Sequence, residues 1–205
     1  MQIRWLGHSS FKVTSDHSSV IFDPYENGSV PGLKDIHDSA QLVLCSHHHH
    51  DHGAVDTVEK EGGTCTFTID TIETYHDDQK GALRGNNTIH ILFDGTYRLA
   101  HFGDLGCWLE EKQLEKLMHL DVILIPVGGY YTIDGHQAAE LIKRLHPSIV
   151  IPMHYRTDTF GFDVISTPDP FLSHFDNVQV LDTCTLEDIE TYRNCTVVLK
   201  PQLAQ

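Results

Sequence analysis

The 205-residue sequence predicts an α/β protein whose helices pack outside its sheets, and two observations support this class. Strand-like segments dominate the first hundred residues, whereas strands and helices alternate in the second half. Forty per cent of the residues are apolar, including nine Phe and two Trp, which is enough to build a core. No repeat or linker divides the chain, so we expect a single domain over residues 1–205.

The first half of the chain consists of predicted strands joined by small polar residues. One helix is predicted there, from Gly53 through AVDTVEKEG, because the Gly62-Gly63 pair is typical of a helix end. The expected strands are QIRWL at 2–6, SFKVTS at 10–15, SVIFDP at 19–24, QLVLCS at 41–46, TCTFTI at 64–69 and IETYH at 72–76.

The second half begins with a predicted hairpin. Asp94-Gly95 lies between NTIHILF and TYRLAHF, and this dipeptide favours a two-residue turn between strands. Residues 110–120 and 135–147 have the apolar spacing of helices, and a short helix is expected at 169–175. The remaining predicted strands are DVILIPV at 121–127, SIVIPMHY at 148–155, VQVLD at 178–182 and CTVVLKP at 195–201.

Charge and composition argue against several classes of partner. The 14 basic and 29 acidic side chains give a net charge of −15, so binding to a nucleic-acid backbone is not expected. No apolar run approaches membrane-spanning length, and the start MQIRWLGHSS lacks the pattern of a signal peptide. Five cysteines without a CxxC pair favour free thiols in a reducing compartment. We expect a cytoplasmic protein with a small-molecule substrate and no membrane partner.

The histidine run at residues 47–50 is the most informative segment, because it follows an apolar strand and continues into Asp-His. Side chains two apart on an extended segment point the same way, so either alternate pair of the run is suited to share a metal ion. The pattern His-x-His-x-Asp-His fits in one register only, since a shift by one would need Asp at 52 and His at 53. The predicted ligands are His47, His49, Asp51 and His52. His48 and His50 are expected either to have no role or to contact the ligands without binding the metal.

This segment resembles the HxHxDH motif of the metallo-β-lactamase fold hydrolases. That family has further ligands in order along the chain, which match His76 in IETYHDD, Asp104 in HFGDLG and His154 in VIPMHY. Within the family, the chain is most similar to small metal-dependent hydrolases that include the ascorbate-6-phosphate lactonase type. The matching blocks, from residue 3 to about 200, are LGHSSF, FDPY, RGNNTI, FGDLG, PVGGYYTI and PMHY.

The resemblance implies a four-layer αββα sandwich with two divalent metal ions at one edge, between its sheets. One ion is assigned His47, His49 and His76. The other is assigned Asp51, His52 and His154, and Asp104 bridges the pair. All seven residues offer nitrogen or oxygen donors, which suit zinc as the favoured metal, with manganese or iron as alternatives.

Such a site implies metal-dependent hydrolysis. Two divalent ions can share a hydroxide as the nucleophile and can hold the charge that develops on the substrate oxygen. No serine or cysteine nucleophile is indicated by the sequence. Asp51, which would bind one ion and orient the hydroxide, is the expected catalytic residue.

Two histidines outside the motif are predicted near the site. His101, two residues before Gly103, would orient a metal ligand without binding the metal itself, and a strand histidine with no role at the site is the alternative. His8 in LGHSSF would reach the mouth of the site, and a loop histidine is the alternative.

The substrate cleft is expected to be shaped by loops at 25–37, 77–86 and 156–167. Basic residues in the last two loops would select a carboxylate or phosphate on the substrate, unless they are solvated surface charges. Tyr131, with Tyr130 after a Gly-Gly pair, would line the cleft or pack in the core. The basic residues concerned are Lys80, Arg84 and Arg156.

The predicted activity is hydrolysis of a lactone or other ester of a small metabolite, an anionic one if the basic residues face the cleft. The alternatives are a phosphodiesterase on the same two-metal site and, in a different class, a non-catalytic metal-binding protein. A diiron redox enzyme of this fold is disfavoured, because such relatives carry a carboxylate at the position of His49.

Overall fold

Two facing sheets form the centre of this computed structural model, which describes residues 1–16 and 18–204. The strands of the first sheet are β1 (Gln2–Gly7), β2 (Ser10–Ser15), β3 (Ser18–Phe22), β5 (Leu42–Leu44) and β13 (Thr185–Leu186). They lie in the order β13-β1-β2-β3-β5. A separate two-stranded sheet pairs β4 (Asp38–Ala40) with β6 (Val58–Lys60).

The second sheet has seven strands. They are β7 (Thr68–Tyr75), β8 (Asn86–Phe93), β9 (Arg98–His101), β10 (Val122–Pro126), β11 (Ile149–Met153), β12 (Val178–Val180) and β14 (Cys195–Val198). Their order is β12-β14-β11-β10-β9-β8-β7, with parallel pairing from β12 to β9 and antiparallel pairing from β9 to β7. The helices are α1 (Glu111–Lys116), α2 (Gly135–Leu145) and α3 (Asp169–Leu172).

One core joins the inner faces of both sheets. On β1 the buried residues Ile3 and Trp5 alternate with more exposed ones, as expected for a strand with one covered face. The ring of Phe22 on β3 stacks on the ring of His101 on β9, with 4.7 Å between the ring centroids. Strands β10 and β11 are buried along their whole length, and α2 packs over β10. The predicted α/β sandwich is therefore confirmed.

The outer face of the first sheet is covered by the two-stranded sheet. Arg4 and Lys12 point outward there and form ion pairs with Asp38. The helix predicted from Gly53 to Gly62 is wrong, because the segment forms a 3-10 turn at Val55–Thr57 followed by β6. Its Val and Thr residues favour a strand, and parallel pairing with β4 stabilises that conformation.

Other elements differ from their predicted bounds. The strands expected at 64–69 and 72–76 form one strand, β7, whose polar Asp70-Thr71 pair lies on an exposed edge of the sheet. The helices expected at 110–120 and 169–175 end earlier, at Lys116 and Leu172. No helix within 1–16 and 18–204 has the length and apolar character needed to cross a bilayer.

Strand direction places the predicted ligands at one edge. Strands β1, β3 and β5 of the first sheet run the same way, and so do β7, β9 and β11 of the second. The predicted ligands follow the carboxyl ends of β5, β7, β9 and β11, and His8 follows that of β1. Loops at the carboxyl ends of strands are a usual position for a binding site.

Candidate metal centre

Four imidazoles surround one buried carboxylate at this edge. The Oδ2 atom of Asp104 lies 3.2 Å from Nε2 of both His52 and His154, and 3.3 Å from Nε2 of His76. It lies 3.9 Å from Nε2 of His47. Asp104 is 2% exposed, and its Oδ1 atom has no hydrogen-bond partner in the described part of the chain. Because burying unpaired polar atoms is unfavourable, the arrangement fits a bound cation.

The donor atoms form two groups without a shared residue, each with its atoms within 4.8 Å of one another, and a third set, Asp23 with His47 and His52, takes one histidine from each of them. The first group contains His47, His49 and His76. The second contains Asp51, His52, His154 and, in addition, His8. The structure thus brings all seven predicted ligands together, and imidazole and carboxylate donors in this number suit divalent ions such as zinc.

A buried carboxylate outside the motif holds two of these histidines. Asp23, directly after β3, accepts hydrogen bonds from the Ser46 backbone N–H at 2.6 Å, the Ser46 hydroxyl at 2.6 Å and His52 Nδ1 at 2.9 Å. The Ser46 hydroxyl also contacts His47 Nδ1 at 2.9 Å. Burial opposes the charge of Asp23, but His101 and His52 outweigh it and lower the pKa to about 2. Asp23 therefore directs the Nε2 atoms of His47 and His52 towards Asp104.

The turn that carries Asp104 is tightly packed. The Asn87 side chain accepts from the Asp104 backbone N–H at 2.8 Å and donates to the Phe102 carbonyl at 3.0 Å. Gly103 has a φ of +54°, and a Cβ there would lie 2.3 Å from the Ser46 Cβ. Only glycine fits this close approach between the two sheets.

The protonation of the histidines follows from their surroundings. Burial, and then a neighbouring histidine in each case, lowers the pKa of His8 to about 4 and that of His47 to about 3. Burial acts in the same direction on His52, but the carboxylates of Asp104 and Asp23 outweigh it and raise the pKa of His52 well above its usual value. His8 and His47 are therefore neutral and have free electron pairs for a metal ion.

A cavity of about 320 Å³ opens onto the centre. Four of the predicted ligands, His49, Asp51, His76 and Asp104, line it together with His50, Arg84, Tyr131 and Phe162. The Arg84 guanidinium lies 5.5 Å from the centroid of the Tyr131 ring. The cavity therefore combines metal-binding donors with one cationic and two aromatic side chains.

Comparison with known proteins identifies the family. Residues 2–154 match the model of the β-lactamase superfamily domain. The chain is 30% identical over 199 residues to a UPF0173 metal-dependent hydrolase from Nitratidesulfovibrio vulgaris, covering 76% of this chain and 80% of the relative. The chain belongs to the UPF0173 metal-dependent hydrolase family. A further UPF0173 relative from Hyperthermus butylicus is 27% identical over 191 residues, covering 76% of this chain and 83% of that relative.

Solved structures agree with this family. A Thermotoga maritima protein assigned to the Zn-dependent hydrolases of the metallo-β-lactamase superfamily superposes with a TM-score of 0.79 at 27% identity, covering 98% of this chain and 99% of that chain. A metallo hydrolase from Ignicoccus hospitalis shares the fold, with a TM-score of 0.66 at 22% identity, covering 99% of this chain and 96% of that chain. The metallo-β-lactamase fold is thereby confirmed, while the likeness to the ascorbate-6-phosphate lactonase type stays a prediction.

The other predicted site residues of this UPF0173 protein are divided between the cavity and its surroundings. Tyr131 and Arg84 line the cavity, whereas Lys80 is exposed and lies outside it. Arg156 also lies outside, where its Nε donates to the Ile165 carbonyl at 2.9 Å. His101 is fully buried, donates from Nε2 to the Ser9 carbonyl and accepts at Nδ1 from Gly103.

Sequence reasoning missed several residues of this UPF0173 site. Asp23, Ser46 and Asn87 support the ligands, and Phe162 lines the cavity. The blocks FDPY and RGNNTI contain Asp23 and Asn87, so the resemblance included them without indicating a role.

Proposed function

We propose that this chain is a hydrolase that holds two divalent metal ions, zinc in the first instance, and cleaves a lactone or other ester of a small metabolite. The observation that carries this proposal is the placement of four Nε2 atoms within 3.9 Å of Asp104 Oδ2, two of them from each of the two donor groups. Relatives named metal-dependent hydrolases support it, as does the Thermotoga maritima protein assigned as Zn-dependent.

The side chains have distinct roles in this proposal. Bound ions would supply an activated water and withdraw charge from the substrate oxygen. Burial favours the neutral form of Asp51, but His8 and His52 outweigh it and lower the pKa of Asp51. Its carboxylate lines the cavity in the ionised form, so it is suited to accept a hydrogen bond from the attacking water and orient it. Asp51 is therefore the proposed catalytic residue.

The loop after β7 supports a negatively charged substrate. Asp77 accepts hydrogen bonds from the backbone N–H groups of Gln79, Gly81, Leu83 and Arg84, at 2.7–2.9 Å. This network fixes the backbone of Arg84 beside the cavity. Among residues 1–16 and 18–204, the Arg84 guanidinium contacts the Tyr131 ring but has no hydrogen-bonded acceptor. A carboxylate or phosphate of the substrate would provide that acceptor.

We expect Arg84→Gln to raise KM for an anionic ester about tenfold, with little effect on its neutral analogue. The reason is that a charge-assisted hydrogen bond contributes about 1.5–3 kcal/mol. The measurement compares mono-p-nitrophenyl glutarate with p-nitrophenyl butyrate on the metal-loaded protein. Lys80→Gln is the matched control, since Lys80 lies on the same loop but outside the cavity. An equal rise in KM for both esters would contradict a charge-specific role.

The proposed function is tested first by metal content. Untagged protein is purified without a nickel column, and metal per chain is measured for the parent, His47→Ala and His48→Ala. We expect about two equivalents in the parent, partly lost in His47→Ala and kept in His48→Ala. No metal in the parent, or damage confined to His48→Ala, would overturn the proposed ligand set.

Turnover is then measured on lactones, esters and phosphodiesters with the metal found. Ester or lactone cleavage supports the proposed function. Cleavage of phosphodiesters alone would replace it with the phosphodiesterase alternative. Absence of any turnover with two ions bound would favour a non-catalytic metal-binding protein.

A further inference from the structure

The imidazole of His8 is buried next to three of the predicted metal ligands without a hydrogen bond of its own. His8 is 1% exposed, and neither ring nitrogen has a hydrogen-bond partner within residues 1–16 and 18–204. Its donor lies within 4.8 Å of those of Asp51, His52 and His154. A fully buried imidazole with two unpaired nitrogens is unfavourable unless something else binds it.

The distance from His8 to Asp51 suits two ligands of one ion. His8 Nε2 lies 3.4 Å from Asp51 Oδ2, but the pair lacks the orientation of a hydrogen bond. Nitrogen and oxygen ligands at 2.0–2.2 Å from one zinc ion, with angles of about 90–120° between them, are roughly 2.8–3.8 Å apart. The measured distance therefore fits shared metal binding better than direct hydrogen bonding.

The backbone holds His8 rigidly in this position. Its φ is +51°, a left-handed conformation that is uncommon outside glycine but in which asparagine, aspartate and histidine are enriched. The His8 carbonyl accepts from Trp5 Nε1 at 2.9 Å and from the His154 backbone N–H at 3.3 Å. The second bond ties His8 directly to a predicted ligand.

We propose that His8 is a fourth protein ligand of the ion held by Asp51, His52 and His154. This inference rests on the proposed two-metal function and adds a residue to it. With four protein ligands besides Asp104, this ion would have one protein ligand more than the ion at His47, His49 and His76, which would leave more room for water or substrate.

The access to the two groups agrees with this asymmetry. His49 and His76 line the cavity, so a substrate reaches the first group directly. In the second group only Asp51 lines it, while His8, His52 and His154 are 0–1% exposed. The substrate therefore meets the ion of the first group, and His8 acts by retaining the other ion.

The test is stepwise metal retention in the parent and in His8→Asn, which keeps a residue that tolerates positive φ. Each protein is loaded with zinc or cobalt and titrated with a chelator while bound metal and the cobalt absorption spectrum are recorded. We expect the parent to hold one ion more tightly than the other. In His8→Asn that ion should be held about 10- to 100-fold less tightly, with a changed cobalt spectrum.

The matched control is His90→Asn, because His90 is also buried with an unpaired Nδ1 but belongs to neither donor group. Retention of both ions by His8→Asn with parent affinity and spectrum would overturn the proposal. The same holds if His90→Asn weakens retention equally. Should His8→Asn not fold, a crystal structure of the zinc-loaded parent decides. Ligation requires an Nε2-to-zinc distance of about 2.0–2.2 Å, and a distance beyond about 3 Å overturns it.

These measurements need no turnover, so they separate the two proposals. Tight, His8-dependent binding of one ion without hydrolysis would overturn the proposed function and support His8 as a ligand. If the parent hydrolyses esters while His8→Asn retains metal as the parent does, the proposed function is supported and the role of His8 as a ligand is overturned.

Discussion

Asp23 does not line the substrate cavity, yet it determines where two of the metal-binding histidines point. It accepts from His52 directly and reaches His47 through the Ser46 hydroxyl. A histidine that donates one ring N–H to a carboxylate offers its other nitrogen in a fixed direction. One carboxylate therefore orients a ligand in each of the two donor groups.

We expect Asp23→Asn to weaken metal retention about 10- to 100-fold while the chain still folds. Asparagine keeps the shape of the side chain but loses the charge and one acceptor oxygen, so it cannot keep all three bonds from the Ser46 N–H, the Ser46 hydroxyl and His52. Bound metal is measured against a graded chelator. Asp94→Asn on the distant hairpin is the control, because Asp94 also accepts from backbone N–H groups and a serine. Equal retention in both variants would contradict this role of Asp23.

The raised pKa of His52 predicts that metal binding releases a proton. Its raised pKa means that the metal-free ring carries a proton at neutral pH, and an ion that binds Nε2 has to displace it. His8 and His47, with pKa values lowered to about 4 and 3, have no such proton to lose. Calorimetry in buffers of different ionisation enthalpy should show at least one proton released per chain, with any ionised water adding to it, and metal affinity should fall as the pH falls. Identical binding enthalpies in all buffers would contradict the expectation.

The sequence predicted the metal ligands better than the residues that orient those ligands, and the reason is physical. His47, His49, Asp51 and His52 lie close together in the chain, so their spacing is visible without a structure. Asp23 is separated from His52 by 29 residues, and only the parallel pairing of β3 with β5 brings them together. Long-range pairing of this kind leaves no local pattern to read.

At the scale of elements, the turn after β9 is tightly constrained by its surroundings. Gly103 combines a positive φ with close approach to Ser46 and Asn87, and Asp104 follows it directly. We expect Gly103→Ala to lower the free energy of unfolding by several kcal/mol and to reduce metal retention, because the added methyl group displaces the turn. Urea unfolding and metal content measure the two effects.

Gly95→Ala is the matched control for this variant. Gly95 also has a positive φ, +96°, but a Cβ there would meet nothing within 4 Å. Gly95→Ala should lower the free energy of unfolding by about 1–3 kcal/mol through backbone strain alone and should leave the metal content unchanged. Similar losses of metal in both variants would show that strain, and not the clash at the centre, is responsible.

The predicted elements were most accurate where the local pattern and the final pairing agree. The apolar stripe of residues 135–147 became α2, and Asp94-Gly95 lies in the hairpin between β8 and β9. The helix prediction for the segment after Gly53 was wrong because this segment has no apolar stripe. Its conformation is determined by pairing with the three-residue strand β4. Such short strands carry too few residues to show alternation.

At the scale of the whole molecule, the proposed ions connect the two sheets. The ligands after β5 belong to the first sheet, and those after β7, β9 and β11 belong to the second. Ions that bind only the folded arrangement stabilise it by about 4 kcal/mol at a free concentration a thousand times Kd. For a chain of this length we expect chelation to lower Tm by roughly 10 °C.

Differential scanning calorimetry with and without chelator measures this shift. The control is the doubly substituted chain His47→Ala, His154→Ala, which lacks a ligand from each donor group and should not respond to the chelator. An unchanged Tm in the parent would contradict a stabilising role for the ions.

The position of β13 has a consequence for how the chain is made. Ile3 and Arg4 near the start pair with Leu186 and Thr185 near the end, and the Trp5 backbone N–H donates to the Cys184 carbonyl. During synthesis, β1 therefore remains an open sheet edge until Thr185 and Leu186 have left the ribosome. An open edge can pair with another chain, so nascent copies on one messenger are exposed to mutual aggregation throughout that interval.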